Sequence, residues 1–112
     1  MTVSELVNKS GFKVLNLADD ASSRDISGIY CCDLLSVVMS KGFSGAAWVT
    51  IMGNINAAAV AALTDMACVV LAEGAAVDEM MVSKAAQQGI TVIQSDLAIF
   101  ETALKINGLI NA

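Results

Sequence analysis

The segment AAWVTIMGNINAAAVAALTDMACVVLA, residues 46–72, decides the fold. Its ends are uncharged apolar runs, residues 46–52 and 67–72, of the kind that form strands buried on both faces of a sheet. Between them lies an alanine-rich run, residues 57–63, which predicts a helix. A strand, a helix and a second strand in this order predict two parallel strands joined by a right-handed crossover.

The residues before this segment predict two helices and two strands. Thr2 and Glu5 have the spacing of a capping box, and Gly11 provides a stop for the first helix. Residues 12–17 and 26–31 are predicted strands, separated by a polar loop. Asp33 is placed to cap a second helix, which ends before Gly42.

The residues after the segment continue the alternation. A helix is predicted from Val77 or Asp78 to Gln88 and is ended by Gly89, and residues 90–94 form a strand. Ser95 and Asp96 are predicted to cap a last helix that runs to about residue 107. The whole pattern predicts an α/β fold, a small three-layer α/β/α domain with a mostly parallel sheet. Residues 1–112 contain no proline and no low-complexity linker, so we expect a single domain.

Composition excludes several classes of partner. The net charge of −5 and an aromatic content of 4% argue against nucleic acid. The mean hydropathy of +0.69 and the uncharged run of residues 42–64 raise the question of a membrane. That run has three glycines, and Asn54 and Asn56 lie near its middle, where unpaired polar groups in lipid would be costly. We therefore predict that it forms a buried strand, a loop and a helix. The first residues lack the features of a signal peptide, and we expect a cytoplasmic protein.

One stretch resembles a known family. Arg24-Asp25-Ile26-Ser27-Gly28, followed by a short apolar strand and Cys32-Asp33-Leu34-Leu35, resembles the signature region of the DRTGG domain family. The resemblance extends over nearly all of the chain and implies a fold related to the N-terminal domains of HPr kinase and of Mur ligases. It also implies a regulatory or ligand-sensing module, because such domains typically accompany catalytic or CBS domains. The resemblance and the excess of apolar residues together predict a homodimer.

Candidate ligand-binding residues follow the predicted strands. Parallel sheets bind ligands beyond the carboxyl ends of their strands, where helix N-termini also offer N–H donors. We therefore expect a small anionic ligand at the edge formed by Asn54, Asn56, Glu73, Ser95 and Asp96, with Arg24 near enough to add charge. An alternative is that such polar residues only cap helices, which applies to Asn56, Ser95, Asp96, Asp33 and Asp78. Arg24 could equally pair with an acid of its own loop, Asp19, Asp20 or Asp25.

Little in the sequence favours catalysis. The chain has no histidine, its three cysteines form no C-x-x-C pair, and it has no phosphate-binding loop, so we expect no metal and no cofactor. Cys32 could act as a thiolate near a helix start, but a buried cysteine in the core is the simpler interpretation. The predicted function is regulation without catalysis, by a homodimer or by docking on a partner enzyme. The alternatives are a small enzyme acting on an anionic metabolite and a structural subunit of a larger complex.

Overall fold

The computed structural model describes residues 1–112 and contains five strands and five helices. The strands are β1 Lys13–Asn16, β2 Gly28–Cys31, β3 Ala46–Thr50, β4 Cys68–Leu71 and β5 Thr91–Gln94. The helices are α1 Val3–Ser10, α2 Leu35–Lys41, α3 Ile55–Leu63, α4 Glu79–Gln88 and α5 Ile99–Ile110. The predicted α/β fold is confirmed. No helix is both long enough and apolar enough to cross a bilayer.

All five strands form one sheet in the order β1-β5-β4-β3-β2. The pairs β2–β3, β3–β4 and β4–β5 are parallel, as predicted, whereas β1 is antiparallel to β5. No helix lies between β1 and β2, which are the two outer strands of the sheet, so no helical crossover makes β1 parallel to the others. The segment 17–27 instead takes the chain from one outer strand, β1, to the other outer strand, β2.

Helices cover both faces of the sheet and give the three predicted layers. Helices α2, α3 and α4 pack on one face around Trp48, which is fully buried. Helices α1 and α5 pack on the other face, where Val49 and Ile106 belong to the same core. Helix α5 lies against β2 and β3. Because side chains alternate along a strand, the fully buried β3 contributes to both cores at once.

Three local signals in the sequence place helix ends correctly. Thr2 and Glu5 form the predicted capping box at α1, with mutual side-chain to backbone bonds of 2.9 and 3.2 Å. Asp78 caps α4 by accepting from the N–H of Met80 at 3.0 Å. Gly11 ends α1 and adopts the left-handed conformation, with φ of +73°. Such local contacts depend only on residues a few positions apart, which is why spacing reveals them.

Other predicted caps are wrong. Helix α2 has Leu34 at its N-cap with no side-chain bond, and α5 has Ala98 there, so neither Asp33 nor the pair Ser95 and Asp96 caps a helix. Helix α3 begins at Ile55, two residues earlier than predicted, and Asn54 is its cap in place of Asn56. Asp33 has partners 17 and 18 residues away, Asn56 and Asp96 face solvent, and Ser95 bonds Leu97 and Thr102 without capping α5.

Candidate functional site

The carboxyl edge of the parallel strands brings five of the six predicted residues together. Asn54 follows β3 and Asn56 lies in the first turn of α3, while Glu73 follows β4. Ser95 and Asp96 follow β5. The antiparallel β1 begins at this same edge, because its first residue, Lys13, pairs with Gln94 at the end of β5.

Three of these polar side chains form hydrogen bonds within the protein that hold the local structure together. Asn54 Oδ1 accepts from the N–H of Ala57 at 3.0 Å, which caps α3. Glu73 Oε2 accepts from the N–H of Ile99 at 3.2 Å and so supplies the missing cap of α5 from another loop. A carboxylate at that position is stabilised by the positive end of the helix dipole. Asn54 and Glu73 therefore both cap helices, a role that was predicted for other residues of this edge, Asn56, Ser95 and Asp96.

Ser95 is the third occupied residue and is buried. Its hydroxyl lies 2.9 Å from Thr102 Oγ1 and accepts from the N–H of Leu97 at 3.0 Å. Asn56 and Asp96, in contrast, are exposed and their side chains bond no other residue. Of the predicted residues at this edge, only these two present free polar side chains to a ligand.

Backbone hydrogen bonds join the loops of the carboxyl edge to one another. The N–H of Asp78 donates to Gly53 O at 2.8 Å, which connects the loops after β3 and β4. The N–H of Glu73 donates to Leu97 O at 2.7 Å and that of Gly74 to Ser95 O at 2.8 Å, which connects the loops after β4 and β5. Glu73 and Gly74 both adopt positive φ, +63° and +58°. The edge is therefore one continuous, bonded rim.

The predicted position of Arg24 at this rim is wrong. Arg24 Nη1 donates to Asp65 Oδ1 at 2.9 Å, and its Nη2 donates to Asp65 O at 2.6 Å. Asp65 lies between α3 and β4, so the pair sits at the amino edge of the sheet, opposite the rim. The partner is also none of the acids of Arg24's own loop. Arg24 and Ser44, whose hydroxyl donates to Asp65, hold the pKa of that carboxyl below its usual value.

The thiols of Cys31 and Cys68 are poor nucleophiles in this setting. Complete burial raises the pKa of the Cys68 thiol to about 12. Partial burial and the nearby Asp33 carboxylate raise the pKa of Cys31. Both thiols are thus protonated at neutral pH, and the thiolate is the reactive form. Cys32 packs against the core, and no group of three or more potential metal ligands occurs in the structure.

Comparison with known proteins settles the family. The profile of the DRTGG domain matches residues 5–109. The chain belongs to the DRTGG domain family. No significant match was found among curated protein sequences.

A solved structure has the same fold as this DRTGG domain. It is described as the CBS and DRTGG domains of the regulatory region of Clostridium perfringens pyrophosphatase complexed with an activator, diadenosine tetraphosphate. The TM-score is 0.77 at 10% sequence identity. The match covers 94% of the present chain and 45% of the other, so this chain spans less than half of that regulatory region.

The signature region of this DRTGG domain serves the fold at both edges of the sheet. Arg24 binds Asp65 at the amino edge, as described above. At the carboxyl edge Asp33 Oδ1 accepts from Thr50 Oγ1 at 2.7 Å and from the N–H of Ile51 at 3.0 Å. The carbonyl of the preceding Cys32 accepts from Trp48 Nε1 at 2.8 Å. The signature therefore fixes β2 and its flanking loops to β3 and to the loop that leads into β4.

Two cations at the carboxyl edge were not found from the sequence. Lys13 and Lys105 line a cavity of about 290 Å³ together with Ser95 and Asp96. Lys13 reaches this edge only because β1 is antiparallel to β5, the feature that the strand and helix alternation did not predict. Lys105 reaches it because α5 starts at this edge with Ile99, less than two turns before the lysine. The positive charge near Ser95 and Asp96 therefore comes from these two lysines and not from Arg24.

Proposed function

We propose that this DRTGG domain is a regulatory module without catalytic activity of its own, which senses a small ligand or docks on a partner enzyme. The observation that supports the proposal most directly is the bonded carboxyl edge. Asn54, Glu73 and Ser95 serve as caps and connections there, and no histidine or activated nucleophile stands beside them. A general acid or base within reach of a substrate is what most hydrolytic and transfer reactions require.

The comparison protein supports the same proposal. Its DRTGG domain forms part of the regulatory region of an enzyme, and that region was solved with an activator bound. We transfer to this chain only the general role, in which a ligand or a partner changes the state of an attached or associated enzyme. We further propose that residues 1–112 act as one domain and that the protein resides in the cytoplasm, where its three free thiols would remain reduced.

A ligand screen followed by a turnover assay tests the absence of catalysis. We expect that nucleotides, acyl phosphates or other phosphorylated metabolites that raise the melting temperature are recovered unchanged after long incubation with the protein. We expect binding without turnover because the carboxyl edge has no histidine and no nucleophile activated by a neighbouring base. Conversion of a bound compound at a rate proportional to protein concentration would instead favour the small enzyme acting on an anionic metabolite.

We also propose that the module is a homodimer and that α5 forms the contact. Phe100 is 70% exposed and Leu104 is 56% exposed, and their spacing of four residues places them on one outward face of the helix. Two copies of α5 packed antiparallel about a two-fold axis would cover the apolar pair of each copy.

Light scattering with three samples tests the dimer. The native protein is expected to give about twice the chain mass of 11.5 kDa. The variant Phe100→Glu should give the mass of one chain, because a charge would be buried without a partner in the contact. Leu63→Glu is the matched control: Leu63 is 73% exposed at the far end of α3, so this variant should remain dimeric. A native protein with the mass of a single chain at micromolar concentration would reject the proposal.

A further inference from the structure

The cavity at the carboxyl edge has a definite position in the fold. Its lining comes from the end of α1, the start of β1, the end of β5 and the loop into α5, together with one residue of α5. Its volume, about 290 Å³, lies at the lower limit of cavities that bind small molecules. A compact metabolite fits this space, whereas a dinucleotide does not.

The cavity contains two of the few cations that the protein leaves unpaired. Among the six Lys and Arg residues, Lys9 pairs with Glu5 and Arg24 pairs with Asp65. Lys13 and Lys105 line the cavity, and neither has a carboxylate oxygen within 4.0 Å, although Asp96 lines the same space. Lys105 Nζ lies 5.1 Å from the centroid of the Phe12 ring, which holds its ammonium group over the cavity wall.

The backbone N–H of Asp96 is a third hydrogen-bond donor without a partner, in addition to the two lysines. Asp96 lies outside every helix and strand, and its N–H forms no hydrogen bond with another group of the protein. Lys13, Lys105 and Asp96 therefore line the same cavity, and neither the two ammonium groups nor the N–H of Asp96 has an acceptor within the protein. The Asp96 carboxylate is the one charged group in the lining that opposes an anion.

We propose that this cavity binds a small phosphate monoester, with its phosphate group between Lys13, Lys105 and the N–H of Asp96. A phosphate monoester carries a charge of about −1.5 to −2 at pH 7 and three acceptor oxygens, so it matches two cations and a third donor. A carboxylate has only two oxygens and one charge, half of what the two lysines can neutralise. The net charge of −5 repels anions at long range, but salt screens that repulsion beyond about 8 Å.

The inference rests on the proposed regulatory function and identifies the class of ligand that the module would sense. It also assigns roles within the predicted site. Asp96 contributes its backbone N–H, Ser95 shapes the wall through its buried hydroxyl, and Lys13 and Lys105 replace Arg24 as the source of positive charge.

An NMR titration of the whole chain with inorganic phosphate and with glycerol 3-phosphate, at constant ionic strength set by chloride, tests the inference. We expect the backbone signals of Gly11, Lys13 and Asp96 to shift together with saturable binding. Lys13→Gln and Lys105→Gln should each weaken binding about tenfold through loss of a charged hydrogen bond. Lys41→Gln removes an exposed lysine that lines no cavity and should leave affinity unchanged.

Asp96→Asn gives a readout in the opposite direction. Removal of the opposing carboxylate should tighten phosphate binding several-fold, which an unfolded or damaged variant would not do. The proposal is overturned if no saturable binding occurs, if the shifts cluster elsewhere, or if both lysine variants bind as tightly as Lys41→Gln. If a different ligand binds elsewhere on the domain, the proposed phosphate site is rejected but the proposed regulatory function is not. Turnover of glycerol 3-phosphate would reject the regulatory function while leaving the binding site intact.

Discussion

Gly53→Ala is expected to lower the free energy of unfolding by about 2 to 3 kcal/mol, the upper range for forcing extra atoms into a packed region. A Cβ atom on Gly53 would overlap the carbonyl oxygen of Ala76 and would lie 3.1 Å from Val77 Cα. Both are backbone atoms, which cannot turn aside as a side chain can. The loops after β3 and β4 would have to separate, and the bond from the N–H of Asp78 to Gly53 O would break.

Urea unfolding monitored by circular dichroism measures this loss, with Gly108→Ala as the matched control. Gly108 lies within α5, and a Cβ there meets no atom within 4 Å. Alanine at that position should be neutral or should raise stability by up to about 1 kcal/mol, because glycine is a poor helix residue. The melting temperature of Gly53→Ala should fall by about 10 °C. Equal stability of the two variants would show that the loops at the carboxyl edge are not held in close approach.

The sequence was sufficient to predict the fold class because the fold depends on patterns that act locally. Apolar runs separated by an alanine-rich helix predict buried parallel strands, and the capping box at Thr2 and the cap at Asp78 lie within three residues of their partners. The antiparallel direction of β1 was not predictable in the same way. It depends on the segment 17–27, which crosses the sheet without a helix and has no periodic pattern.

The candidate site was predicted only in part, and the errors have one physical cause. Asn54, Glu73, Ser95 and Asp96 do lie at one edge, because the carboxyl ends of parallel strands always meet there. The partners of individual side chains, however, lie far away in sequence: Glu73 caps a helix 26 residues later, and Asp33 binds the end of β3. Lys13 and Lys105 were missed for the same reason, since 92 positions separate them and only the folded sheet brings them to one cavity.

Arg24→Ala is expected to reduce the free energy of unfolding by about 2 kcal/mol while leaving phosphate binding unchanged. The substitution removes two charge-assisted hydrogen bonds to Asp65, whose backbone has a φ of +56°, outside the range that most residues favour. The Arg24 side chain is 25% exposed, so water replaces part of the lost interaction. Lys9→Ala is the control, because the exposed pair between Lys9 and Glu5 should contribute at most about 0.5 kcal/mol.

The pH dependence of the same variant separates an ion pair from simple packing. Because the bonds to Arg24 and Ser44 lower the pKa of Asp65 in the folded state, the stabilisation is complete above the unfolded pKa of 3.8 and is lost as pH falls through the lower, folded value. The difference in melting temperature between the native protein and Arg24→Ala should therefore be constant near neutral pH and should shrink in acid. A difference that persists unchanged in acid would attribute the effect to lost packing. If Arg24→Ala instead keeps its melting temperature and weakens phosphate binding tenfold, then Arg24 is a ligand-binding residue, and the anion site lies at the amino edge of the sheet rather than between Lys13 and Lys105.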